Sequence, residues 1–127
     1  MIAEVTDKLI DALIQVESNG KTDIVGDNGR AKGCLQIWNV VIEDVNRIYN
    51  TKFIHDDAFS MEKSRDICRR YLAFWGGQYN IRTNTLPTDE VLARIWNGGP
   101  SGWAKSATDK YWVKVKAVLE KQDENNA

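Results

Sequence analysis

One carboxylate stands where a helix would be expected to carry an apolar residue. With successive residues placed about 100° apart on a helical wheel, Val5, Leu9, Ile10, Ala12, Leu13, Ile14 and Val16 share one broad arc, and Glu17 falls inside it between Leu13 and Ile10. Glu4, Asp7, Lys8, Asp11 and Gln15 fall opposite. The last acid of a helix leaving the core can simply reach solvent or pair with Lys or Arg. Alternatively, partial burial raises its pKa until the carboxyl keeps its proton near neutrality, which is what a general acid for an acetal leaving group requires. Asp27, ahead of Asn28-Gly29, is good turn chemistry.

The rest of the inventory narrows the chemistry. His55 is the only histidine, and Cys34 and Cys68 are the only cysteines, so the usual His/Cys zinc site cannot be filled from this chain alone. No metal or other cofactor is expected. The sequence has neither a Gly-x-x-x-x-Gly-Lys phosphate loop nor a Gly-x-Gly-x-x-Gly turn opening a helix. Lys and Arg number 17 against 18 Asp and Glu, a net charge of -1, which gives no long-range field for nucleic acid or an anionic membrane. Carboxylate, Trp, Tyr and Asn remain plentiful, a set suited to sugars. Trp75 and Trp112 sit at helical spacing and are assigned to packing. Trp103, within Gly99-Pro100-Ser101-Gly102-Trp103, sits in a loop and is a candidate for stacking on a sugar ring. Cys34 and Cys68 read as buried, reduced thiols, with pairing left open, and His55 as a loop residue.

The chemistry-bearing pieces recur in a particular order: Glu17-Ser18, Gly26-Asp27-Asn28-Gly29, Gly33-Cys34-Leu35-Gln36-Ile37, Trp96-Asn97-Gly98-Gly99 and Thr108-Asp109-Lys110-Tyr111. This set resembles the lysozyme-like superfamily, in particular the SLT-type lytic transglycosylases and goose-type lysozymes, from about residue 9 to residue 119. The resemblance implies a peptidoglycan-cleaving muramidase acting on the β-1,4 bond between N-acetylmuramic acid and N-acetylglucosamine. It makes Glu17 the catalytic acid and Ser18 a positioning residue. Gly33, Leu35, Gln36 and Ile37 would line the cleft, with Cys34 in place of the usual Leu. Gln36 and Asn97 would be ligands to sugar or to Glu17, and Tyr111 a hydrogen-bonding partner in the cleft.

Asp27 matches one of the two acids that place water in the goose-type enzymes, whereas the position of the other holds Trp38. Hydrolysis and transglycosylation therefore both stay open. A second acid can activate water or attack as nucleophile; without one, the substrate's own 6-hydroxyl can close an anhydro ring. Two alternatives stand beside the muramidase: a non-catalytic glycan-binding or virion structural protein on the same fold, and a glycosidase acting on chitin or chitosan.

These residues need a scaffold. The pattern predicts one domain over residues 1 to 127, mainly α, with about five helices and a small β or irregular lobe near residues 21 to 37. A first helix ends at Ser18-Asn19-Gly20. A second carries Val41, Val45, Ile48 and Tyr49. A third starts near Ser60, carries Met61, Cys68, Tyr71, Leu72 and Trp75, and stops at Gly76-Gly77. A fourth starts at Pro87-Thr88-Asp89-Glu90, and a fifth carries Tyr111, Trp112, Val115, Val118 and Leu119, before a polar, frayed tail from Lys121. No signal peptide or membrane span is recognised. The expected partner is the peptidoglycan glycan strand, met by a monomer made in the cytoplasm. It would act on the wall after release as a phage endolysin, or as a virion component.

Overall fold

The computed structural model describes residues 2 to 126. The chain is mainly helical with a small β part, in the order α1 (Asp7–Ser18), β1 (Val25–Gly26), β2 (Ala31–Lys32), α2 (Asn39–Tyr49), α3 (Met61–Thr83), α4 (Asp89–Gly98) and α5 (Asp109–Asn125). Short 3-10 turns lie at Asp27–Gly29, His55–Phe59, Gly102–Ala104 and Ser106–Thr108. Its residues fall into two compact units: Glu17–Tyr71, and the residues up to 16 together with those from 72 onward.

The helix ends follow from local chemistry. Thr6 Oγ1 accepts from the amide of Leu9 at 3.1 Å, capping α1. Ser60 Oγ accepts from Lys63 N, and Thr88 Oγ1 from Val91 N, each at 3.2 Å, which opens α3 and α4 on hydroxyl caps. At the other end of α1, Asn19 (φ 56°) and Gly20 (φ 88°) turn left-handed, and Ser18 Oγ accepts from Gly20 N at 3.2 Å. The apolar stripe behaves as its spacing demands. Leu9, Ile10, Ala12 and Leu13 are fully buried in the unit that joins the residues up to 16 to those from 72 onward, along with Leu72, Ala93, Ile95 and Val115. The Glu17–Tyr71 unit buries Leu35, Ile37, Val45, Ile67 and Cys68 just as completely.

Two helix ends differ from the sequence pattern. Helix α3 does not stop at Gly76-Gly77 but runs on to Thr83. A Cβ on Gly76 would stand 2.8 Å from Leu92 Cδ2 and 2.9 Å from Ala3 Cβ. Glycine is there to let neighbouring chain come close, and tertiary contact overrides its weak helix propensity. The tail also departs from expectation: α5 continues to Asn125, so the stretch from Lys121 is a helical turn rather than a frayed end. Lys8 on α1 pairs with Asp123 on that last stretch. His55, expected in a loop, opens a 3-10 turn, with Nε2 at 2.7 Å from the carbonyl of Ile37.

The β part is a two-strand antiparallel hairpin in which Val25 pairs with Lys32 and Gly26 with Ala31. Asp27 and Asn28, both at positive φ, turn the chain at its tip. Asp and Asn tolerate this better than other side chains. A backbone bridge between Lys32 and Ile37 closes the following loop.

Candidate functional site

The residues singled out by the sequence divide between the two units. Glu17, Ser18, Asp27 and Gln36 belong to Glu17–Tyr71, and Asn97, Trp103 and Tyr111 to the other unit. Glu17 is half-buried in the last turn of α1. Burial first, and the charge of Glu17 second, push the buried Cys68 thiol up from its ordinary value, against Arg69 and Arg65, which pull it down. Cys34 is buried too, its Sγ 3.6 Å from Met61 Sδ, and its thiol is raised mainly by burial. Both cysteines are free. Such thiols are protonated and inert near neutrality.

The hairpin residues are occupied with holding the hairpin. Asp27 is exposed at the tip, and its backbone carbonyl accepts from Arg30 N at 3.2 Å. Gln36, at φ 51°, donates its amide to the carbonyl of Gly33 at 3.1 Å and of Ile24 at 3.4 Å. A Cβ on Gly26 would lie 2.4 Å from Gln36 Oε1, so glycine leaves room for that side chain. Gly33 is needed twice over. Its φ is +77°, and a Cβ there would reach 1.8 Å from the carbonyl oxygen of Ala58.

The other unit holds an open groove of about 450 Å³ lined by Trp75, Gln78, Tyr79, Ile81, Arg82, Pro100, Ser101 and Trp103. Trp75, Gln78, Tyr79 and Arg82 follow one another at i, i+3, i+4 and i+7 on α3, a single helix face. The opposite wall is the loop after α4. Trp103 meets Tyr79 edge to face, with ring centroids 4.9 Å apart and planes at 81°. Trp75 is half-buried and packs edge-on against Phe74 at 4.9 Å, so it lines the groove as well as packing.

Arg94 fixes that loop. Its Nε donates to Thr108 Oγ1 at 2.8 Å, and its Nη2 to the carbonyl of Lys105 at 3.0 Å and to Asp109 Oδ1 at 2.9 Å. Nη1 reaches Glu90 Oε2 at 3.0 Å. Thr108 is 1% exposed, and its hydroxyl lies 2.9 Å from the carbonyl of Gly102 and 2.8 Å from that of Lys105. A Cβ on Gly102 would stand 2.0 Å from the carbonyl oxygen of Arg94, so the loop lies directly on α4. The half-buried ring of Trp103 is therefore presented from a fixed backbone. Asn97 is exposed near the end of α4, and Tyr111 is half-buried in the first turn of α5. Among the described residues no cluster of His, Cys, Asp and Glu is placed to hold a metal ion, and no helix is long and apolar enough to cross a membrane.

Trp103, named from the sequence as a candidate for stacking on a sugar ring, lines this groove, and Gln78, Tyr79 and Arg82 join it there without having been singled out. The spacing on α3 was readable, but a helix halted at Gly76-Gly77 hides it.

Comparison defines the fold class first. No known family description matches the chain, and no curated protein does. Among solved structures, the chain is similar to one from the crystal structure of Aeromonas hydrophila PliI in complex with Meretrix lusoria lysozyme. The identity is 22%, the coverage 89% of each chain, and the TM-score 0.71.

This finding corrects the enzymatic reading. Membership of the lytic transglycosylases or goose-type lysozymes, peptidoglycan or chitin cleavage with Glu17 and Asp27 as catalytic acids, and the endolysin role are not retained. At 22% identity the likeness is one of fold. The physical reason lies in the motifs themselves. Ser18 closes α1, Gly33 and Gln36 build the hairpin loop, and Gly99, at φ 87°, ends α4. These short patterns are what helix ends and tight turns require of any chain.

Proposed function

We propose that this chain works by binding another protein, in a complex of the inhibitor–lysozyme kind, and does not cut glycan itself. The observation that carries this reading is the fold likeness to a chain taken from a two-protein complex. The aromatic groove supports it, since Trp, Tyr and Arg are the residues that anchor protein interfaces. Trp75, Tyr79, Trp103 and Arg82 stand together there, with one wall held by the Arg94 network. A wall that is already ordered loses little freedom on binding. Action outside the cytoplasm, beside a wall-acting partner, belongs to the same proposal, as does a single functional domain over the whole chain.

Glycan strands are a second ligand class. Trp103, placed beside Tyr79 in an open groove, is the observation in their favour. Under this reading Glu17, Ser18, Asp27, Gln36, Asn97 and Tyr111 serve as fold or contact residues.

Calorimetric titration of the full chain into an invertebrate lysozyme tests the proposal. A saturable complex and slower wall clearing by that lysozyme are expected. A chain that shows no complex and clears walls unaided contradicts it.

A further inference from the structure

The aromatic groove has a charge pattern that selects its occupant. Among the described residues Arg82 is the only charged one in its lining, and no carboxylate lies there. Arg82 is exposed and has no ion-pair partner among the described residues. Arg70, earlier on the same helix, is paired with Asp66, and Arg94 with Glu90 and Asp109. A lone guanidinium at the edge of Trp75, Tyr79 and Trp103 thus stands out locally on a chain of net charge -1.

We propose that this groove takes an extended peptide segment of the partner protein, carrying a carboxylate next to an aromatic or other large apolar side chain. The inference rests on the protein-binding reading above and names the chemistry of the partner. The apolar side chain enters the corner made by the perpendicular rings of Tyr79 and Trp103 together with Pro100. The carboxylate meets the Arg82 fork, whose planar donors match both of its oxygens. Gln78 and Ser101 supply side-chain polar groups for the peptide backbone. A sugar is the poorer fit. Its hydroxyls are uncharged, so a sugar leaves the Arg82 guanidinium without the opposite charge that a carboxylate brings.

The test uses the full chain with three probes: acetyl-Ala-Trp-Asp-Ala-amide, its Asn counterpart, and chitotetraose, followed through the indole N–H signals in nuclear magnetic resonance. The Asp peptide is expected to bind about ten-fold tighter than the Asn peptide at low salt, shifting the Trp75 and Trp103 signals. Arg82→Gln should erase the difference, and Arg82→Lys should keep part of it. Equal affinity for the two peptides overturns the inference, as does a preference that survives Arg82→Gln or chitotetraose binding tighter than either peptide. The lysozyme titration is read separately. A complex that forms without any peptide preference sinks this inference alone, and a peptide preference without a complex sinks the parent reading alone.

Discussion

Two irregular segments, the hairpin lobe around Gly26–Gln36 and the loop from Gly98 to Thr108, are held by different means. In the hairpin lobe the side chain of Gln36 turns inward on its own backbone. Gln36 is spent on the carbonyls of Gly33 and Ile24, and glycine at Gly26 and Gly33 allows close approach. In the other segment the loop backbone is gripped by Arg94 on α4 and by the buried hydroxyl of Thr108 at its end. That leaves Pro100, Ser101 and Trp103 turned toward a groove. The difference teaches that a polar residue in a turn motif is not thereby a ligand. The segment whose backbone is satisfied by a neighbouring helix is the one with side chains to spare.

Glycine substitutions challenge this contrast most severely. Gly33→Ala places a methyl 1.8 Å from the Ala58 carbonyl oxygen at positive φ, and Gly102→Ala one 2.0 Å from that of Arg94. Each should lose about 4 kcal/mol in denaturant unfolding. Gly20→Ala meets nothing within 4 Å and carries only the strain of φ +88°, for a loss of about 1 kcal/mol. Equal losses at Gly33 and Gly20 would show that backbone conformation, rather than close packing, sets the requirement at Gly33.

The grip on the second loop comes next. Thr108→Val removes the hydroxyl that Arg94 Nε donates to and that bridges to Gly102 and Lys105. A loss of about 2–3 kcal/mol is expected from leaving those groups without a partner. Faster amide exchange should be confined to the loop and the start of α5. Exchange that rises equally in the hairpin would blur the distinction between the two segments.

Alkaline pH probes the hairpin's unit. Cys34 and Cys68 hold their protons above the ordinary thiol value of 9.0, so the unfolded chain gives up protons that the folded chain keeps. Their stabilisation is complete below about pH 9 and is lost as pH rises. Each thiol contributes a slope of at most about 1.4 kcal/mol per pH unit, and Tyr71, pushed up to about 12, adds to the fall further on. In Cys68→Ala the decline should be shallower by one such slope. An unchanged profile would mean that Cys68 ionises as readily in the folded chain as in the unfolded one.

The smallest effect is expected at Gln36. Gln36→Ala loses two amide donations in the hairpin loop, costing about 1 kcal/mol, and should leave partner binding unchanged. Lost binding with intact stability would return Gln36 to the contact surface.

Much of the scaffold was legible because its signals are local. The stripe from Leu9 to Leu13, the Thr88 cap and the Asn19-Gly20 stop each name their own structure. The passage of α3 through Gly76-Gly77 was not legible, since the reason for those glycines lies at Leu92 and Ala3, distant in sequence. The site suffered from the same limit. Trp103 was visible as an aromatic ring in a loop, whereas Tyr79 and Arg82 could be recognised only once α3 was known to continue. Arg94 carries no local mark of its role, because its partners Lys105 and Thr108 come from a later segment. Glu17-Ser18 and Gly33 to Ile37 drew a catalytic reading from patterns that also serve to end a helix and build a turn.

Binding without cutting is what the proposed function entails for this chain. Purified peptidoglycan incubated with the full chain, and in parallel with Glu17→Gln, should release no reducing or anhydro-muramic ends above the chain-free control, measured by mass spectrometry. Release by the unsubstituted chain that Glu17→Gln abolishes would contradict the account directly.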